Sequence, residues 1–159
     1  GARQGCYRLF DSGFEITVED PFYIAYDELM GTMQVTIPDE PAFQAYIYYD
    51  PTGQTMDQLE SSIKTLEESY EDDPTVSNMQ TQVDEQENGL FSISFSYSAG
   101  ATEGSPAGFY FIHYQKTQEG LLTANIYSDR ASNSEAIQRL VSTIQLETEN
   151  AQDYPTGQE

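Results

Sequence analysis

One histidine, one cysteine and 27 acidic residues are the groups in this 159-residue chain that could do acid–base, nucleophilic or metal chemistry. His113 stands inside FYFIHYQ, residues 109–115, where an imidazole titrating near neutral pH would serve as a general base. Serines and threonines are plentiful, but none sits in a GxSxG elbow. The nearest such context, AGATEGS at 99–105, reads as a loop. Cys6 with His113 offers a thiol–imidazole couple, without the local sequence that accompanies such pairs in cysteine proteases. A lone histidine on a strand usually packs rather than reacts, so no catalytic residue is assigned. The acidic runs Glu71-Asp72-Asp73 and Asp84-Glu85-Gln86-Glu87 carry oxygen ligands of the calcium type. They lack EF-hand spacing and read as a solvated helix end and turn; no metal and no cofactor is expected.

The tyrosines make a second candidate. There are 12, against eight phenylalanines and no tryptophan, and Tyr46, Tyr48, Tyr49, Tyr97, Tyr110, Tyr114 and Tyr127 all fall on predicted strands. A flat apolar ring with one polar handle suits recognition of protein, peptide or sugar. The competing explanation is that tyrosine is a good strand former at half-buried positions. The binding residues singled out are Tyr48, Tyr97, Tyr110, Tyr114 and His113, beside the Gly/Ser/Ala-rich loop 99–108.

The elements that must position these groups follow from periodicity. Tyr7–Phe10 and Phe14–Val18 are extended, Pro21 stops the second, and further strands run through 33–37 and 42–49. Residues 42–49, AFQAYIYY, are apolar or aromatic on both sides, which predicts cover on both faces. Thr55 and Gln58 form a capping box, after which Met56, Leu59, Ile63, Leu66 and Tyr70 make one helical stripe. A weak strand at 78–86, a turn at Glu87-Asn88-Gly89, and strands at 91–98, 109–116 and 121–128 follow, with a turn at 118–120. Ser132 and Glu135 form a second capping box ahead of Ile137, Leu140, Val141 and Ile144. Strand runs joined by hairpins, with two one-sided helices, predict an α+β domain.

FSISFSYS, residues 91–98, poses its own question, because Phe, Ile, Phe and Tyr occupy one side and four serines the other. The aromatic side is expected to face the main core. The serine side is expected either beneath a helix, a loop or a closely approaching ligand, or in solvent.

Composition bounds the rest. The length fits one domain, and 38% hydrophobic content is enough for a core. Six basic residues leave a net charge of −21, which repels nucleic acid and anionic lipid and suits a soluble protein or a cationic partner. A single cysteine excludes an internal disulfide and a CxxC pair. No stretch reaches the roughly 18 apolar residues that would span a bilayer. Gly1-Ala2-Arg3 lacks an initiator methionine and reads, with the rest of 1–6, as a tag or linker remnant downstream of a removed leader or anchor. GCY at 5–7 partly matches a lipobox, but Arg3 and Gln4 occupy positions that favour small or apolar residues, so Cys6 is read as a buried or idle thiol.

The opening GFEITVEDPFY, a glycine before an alternating strand that ends at an acidic-proline pair, resembles the start of the PsbP-like family. That α/β/α sandwich is shared by the extrinsic photosystem II subunit, a yeast Ran-binding factor and many bacterial lipoproteins and secreted proteins. The element order matches over about residues 7–147, with no invariant motif, and no family functional residue has a counterpart here. The resemblance implies a largely antiparallel sheet flanked by two main helices over 7–147, with 148–159 a disordered polar tail. It also implies an extracytoplasmic module, membrane-tethered or secreted, that binds an unknown protein or small-molecule ligand as a monomer. The alternative is a hydrolase with carboxylates or His113 in a sheet–helix pocket.

Overall fold

The computed structural model describes residues 1–86 and 90–155, so the predicted turn at 87–89 lies outside the described residues. Strands β1 (Gly5–Arg8), β2 (Phe14–Val18), β3 (Tyr23–Asp27), β4 (Thr32–Thr36) and β5 (Gln44–Asp50) precede helix α1 (Met56–Glu71). Strands β6 (Val76–Glu85), β7 (Phe91–Ala99), β8 (Gly108–Lys116) and β9 (Leu121–Ser128) lead to α2 (Ser134–Ser142) and a two-residue strand, β10 (Gln145–Leu146). The architecture is α+β, as the alternation and helical stripes predict.

Seven strands form one sheet in the order β3-β4-β5-β9-β8-β7-β6, every pairing antiparallel. A second, three-stranded sheet, β1-β2-β10, lies with α2 against one face of the large sheet, and α1 lies against the other. The main core fills the space between the two sheets, with Ile16 and Val18 of β2, Val35 of β4, Ile47 of β5, Phe111 of β8 and Ile137 of α2 all buried. A smaller cluster under α1 joins Leu59 and Ile63 to Phe91, Ile93 and Phe95.

Local signals account for α1. Thr55 Oγ1 accepts from the Gln58 amide at 3.2 Å, and the Thr55 amide donates to Gln58 Oε1 at 2.9 Å, so both halves of the predicted box form. The second predicted box does not form. A 3₁₀ turn, Ala131–Asn133, precedes α2, and Asn133 makes no side-chain cap bond. Its side-chain Nδ2 instead donates to Glu40 Oε1 at 2.8 Å and Ser128 Oγ at 2.9 Å, so other partners outcompete the local cap.

Five other expectations change. The second strand ends before Pro21 as expected, but Tyr23–Asp27, which pairs with β4, is not among the predicted strands, because only Ile24 on it is fully buried and its alternation is faint. The aromatic side of β7 packs on α1, not on the main core. β5 is covered on one face only, with Gln44, Tyr46 and Tyr48 exposed. Residues 148–155, read as tail, are held down: Ala151 is buried and the Gln152 carbonyl accepts from the Arg8 amide at 2.8 Å. The Tyr154 ring lies 5.2 Å from that of Tyr7. Gly5 and Cys6, read as linker, belong to β1.

Candidate functional site

The large sheet separates the predicted site residues onto two faces. On the α1 face, cross-strand register places Tyr97 opposite Tyr110 and Tyr110 opposite Tyr127. Their centroids are 5.0 Å apart at each step, and Tyr70 of α1 extends the row with its ring 4.7 Å from Tyr97. The Tyr70 and Tyr97 hydroxyls meet at 3.3 Å. The hydroxyls of Tyr110 and Tyr127 donate to the carbonyls of Pro106 and Ala107, so the 100–107 loop is clasped against the row it was expected to adjoin. Gly108 makes that closeness feasible: a Cβ there would lie 2.7 Å from the Tyr127 ring.

Two same-face rows along, Tyr114 faces Thr123, which faces Tyr48 on β5. Helix α1 stops short of this region, leaving Tyr46 and Tyr48 about 40% exposed. Among the described strand residues of this face, charge appears at strand ends, at Asp27, Asp50, Glu85 and Lys116. Burial raises the Tyr97, Tyr110, Tyr114 and Tyr127 phenols above their ordinary range, so the row stays neutral. A flat uncharged tyrosine surface on a chain of net charge −21 is thus assembled from β5, β7, β8 and β9.

His113 lies on the opposite face, among the serines. Its Nδ1 is 2.7 Å from Ser94 Oγ, its cross-strand neighbour, while Nε2 is buried without a hydrogen-bond partner. Burial lowers its pKa to about 4, with the Gln115 side chain acting in the other direction, so the ring is neutral at physiological pH. The serine side of β7 is the floor of a cleft of about 510 Å³. Ser92, Ser94, His113 and Gln115 line the floor; Gln138 and Ser142 of α2 and Gln145 and Leu146 form a wall; Gln82, Asp84 and Gln86 form a rim. The serines are small because the space above them is a groove, which the sequence could only pose as a question.

Catalysis by this constellation lacks parts. Among the described residues no carboxylate hydrogen-bonds the imidazole, and no Lys or Arg lines the cleft. Cys6 lies in the small sheet, its thiol 3.2 Å from Glu15 Oε2 and raised by burial, which disfavours a reactive thiolate. No group of three or more His, Cys, Asp or Glu among the described residues is placed to hold a metal ion.

Glu15 escaped the sequence reading, which placed it only within an alternating strand. It is 2% exposed, and its carboxylate accepts from Gln145 Nε2 at 3.0 Å and from the Thr148 hydroxyl at 2.9 Å, as well as from the Thr148 amide. The Gln145 bond, ahead of those from Thr148 and Cys6, holds its pKa down to about 2 against the cost of burial. Its role is structural, since it ties β1, β2, β10 and the C-terminal segment together.

No family model matches the sequence, and no curated protein matches it. Among solved structures, that of cyanobacterial PsbP (CyanoP) from Synechocystis sp. PCC 6803, determined in solution, resembles this chain with a TM-score of 0.61. The match covers 92% of this chain and 94% of that one at 8% identity. The fold is PsbP-like, as the order of elements predicted. Identity this low carries the fold and no site residue.

Proposed function

We propose that this protein is a non-enzymatic binding or accessory module, extracytoplasmic in a bacterium, that docks a protein partner on its open tyrosine face. The observation that carries this reading is the row Tyr97-Tyr110-Tyr127 beside α1, continuing through Tyr114 to Tyr48 and Tyr46, which α1 leaves exposed. Rigid aromatic side chains cost little conformational entropy to immobilise and are enriched where interfaces bind most strongly. The surrounding acidity repels acidic partners, which leaves a neutral or basic one. The extracytoplasmic location rests on the resemblance to secreted and lipoprotein members of the PsbP-like family.

A photo-crosslinking amino acid replacing Tyr48 in cells of the native host tests the docking face, with the same group at exposed Glu60 on α1 as control. The expected result is a discrete adduct from position 48 alone, lost when Tyr46→Asp and Tyr114→Asp are added. Equal labelling from both positions overturns the proposal. The alternative, a hydrolase, draws on the 2.7 Å Ser94–His113 contact. Turnover of a chromogenic ester or glycoside that disappears in His113→Leu would replace the binding reading.

A further inference from the structure

The cleft on the other face is unexplained by a tyrosine docking surface, and its lining has a definite chemistry. Among the described residues its side chains include five glutamines, three serines and one histidine, with Asp84 the only charge. An anionic ligand would find no cation and an unfavourable field from the whole chain. A cation would find one carboxylate, on the rim, and hydroxyls on the floor. An apolar ligand would strand the polar groups of the floor. What remains is a neutral ligand that both donates and accepts hydrogen bonds.

Amide and hydroxyl side chains each offer both roles, and they match ligand hydroxyls, which do the same. The backbone of β7 is already paired on both sides, with β6 and β8, so recognition on this floor falls to side chains rather than to strand addition. His113 sits on the floor of the cleft. With Nδ1 engaged by Ser94, the buried Nε2 needs an acceptor in one tautomer and a donor in the other, and a hydroxyl satisfies either. Leu90, Ile144 and Leu146 add apolar surface for the C–H groups of a ring. The volume, about 510 Å³, falls within the ~300–1,000 Å³ usual for small-molecule sites.

We infer that the cleft between the serine side of β7 and α2 is a binding site for a neutral saccharide of one or two rings, held by Ser94, His113, Gln115 and Gln138. This site is independent of the tyrosine face, so either can fail alone. The test titrates isotope-labelled protein with glucose, N-acetylglucosamine, maltose and cellobiose, reading amide shifts of β7, β8 and α2 and the His113 ring nitrogens. Glucuronate, glucosamine and an acetylated alanine dipeptide amide serve as contrasts.

Saturable shifts confined to the cleft with at least one neutral sugar are expected, including a shift of the Nε2 resonance. Gln138→Ala, at an exposed helix position that folding does not need, should weaken that sugar about tenfold, the loss of one good hydrogen bond. Ser94→Phe should abolish binding by filling the groove. The same titration of Tyr48→Asp should be unchanged. No shift with any neutral sugar, or stronger shifts with a charged sugar or the dipeptide, overturns the assignment.

Discussion

His113 and Glu15 are ionisable groups that folding takes out of water, and both make the protein weaker in acid. His113 binds a proton near 6.5 when exposed and only near 4 when folded, so the unfolded chain gains protons first as pH falls. Stability is therefore full above about 6.5 and declines toward 4, by roughly 3 kcal/mol at ~1.4 kcal/mol per pH unit of displacement. Glu15 is displaced the same way, from 4.5 to about 2, so its contribution is present above 4.5 and lost toward 2. Urea unfolding midpoints measured against pH should fall in two adjoining stages, His113→Leu removing the upper and Glu15→Gln the lower. A single unchanged acid limb in His113→Leu would show that the ring is not buried neutral. His113 could be singled out from sequence because it is the only histidine; Glu15 could not, because nothing in FEITV distinguishes a buried carboxylate from a solvated one.

Helices, caps and the C-terminal segment divide into what local chemistry encodes and what distant partners impose. Thr55→Ala should cost about 1 kcal/mol, since its hydroxyl closes a real cap, whereas Ser132→Ala should stay within about 0.5 kcal/mol. Thermal or urea unfolding of the two variants checks this pair, and equal losses would contradict the geometry. A chain ending at Glu147 loses the Thr148 bonds to Glu15, the Gln152 bridge to β1 and the Tyr154–Tyr7 contact. Roughly 2–4 kcal/mol should go with them, read in the same assay. The 148–155 segment was illegible because its composition is that of a tail, and its partners Cys6, Tyr7, Arg8 and Glu15 lie more than 130 positions away in sequence.

Across the whole molecule, 27 acidic groups against six basic ones repel one another more in the compact state than in the expanded one. Screening shortens the reach of that repulsion to about 8 Å at physiological ionic strength. Raising salt from low to physiological should therefore stabilise the fold by about 1 kcal/mol, a rise of roughly 2–4 °C in Tm. If the proposed docking of a different protein on the tyrosine face holds, sedimentation should show a monomer at both salts. Association through that face once charges are screened would make a second copy the partner.

The strand alternations, the α1 stripe with its cap, and the order of elements were readable in the residues alone, because periodicities of 2 and 3.6 act between near neighbours. Those signals sufficed for an α+β class and for a PsbP-like arrangement. Which sheet face is covered was not readable. A helix about 10–12 Å wide spans only two or three strands at ~4.8 Å spacing, and seven strands are present. AFQAYIYY therefore predicted two-sided cover, yet α1 settled over β6 and β7 and left Tyr46 and Tyr48 bare. Strand register put Tyr48, Tyr97, Tyr110 and Tyr114 together on one face and His113 on the other. Strand parity assigned each residue a side; only the packing of α1, α2 and the small sheet decided that one side became a flat surface and the other a cleft.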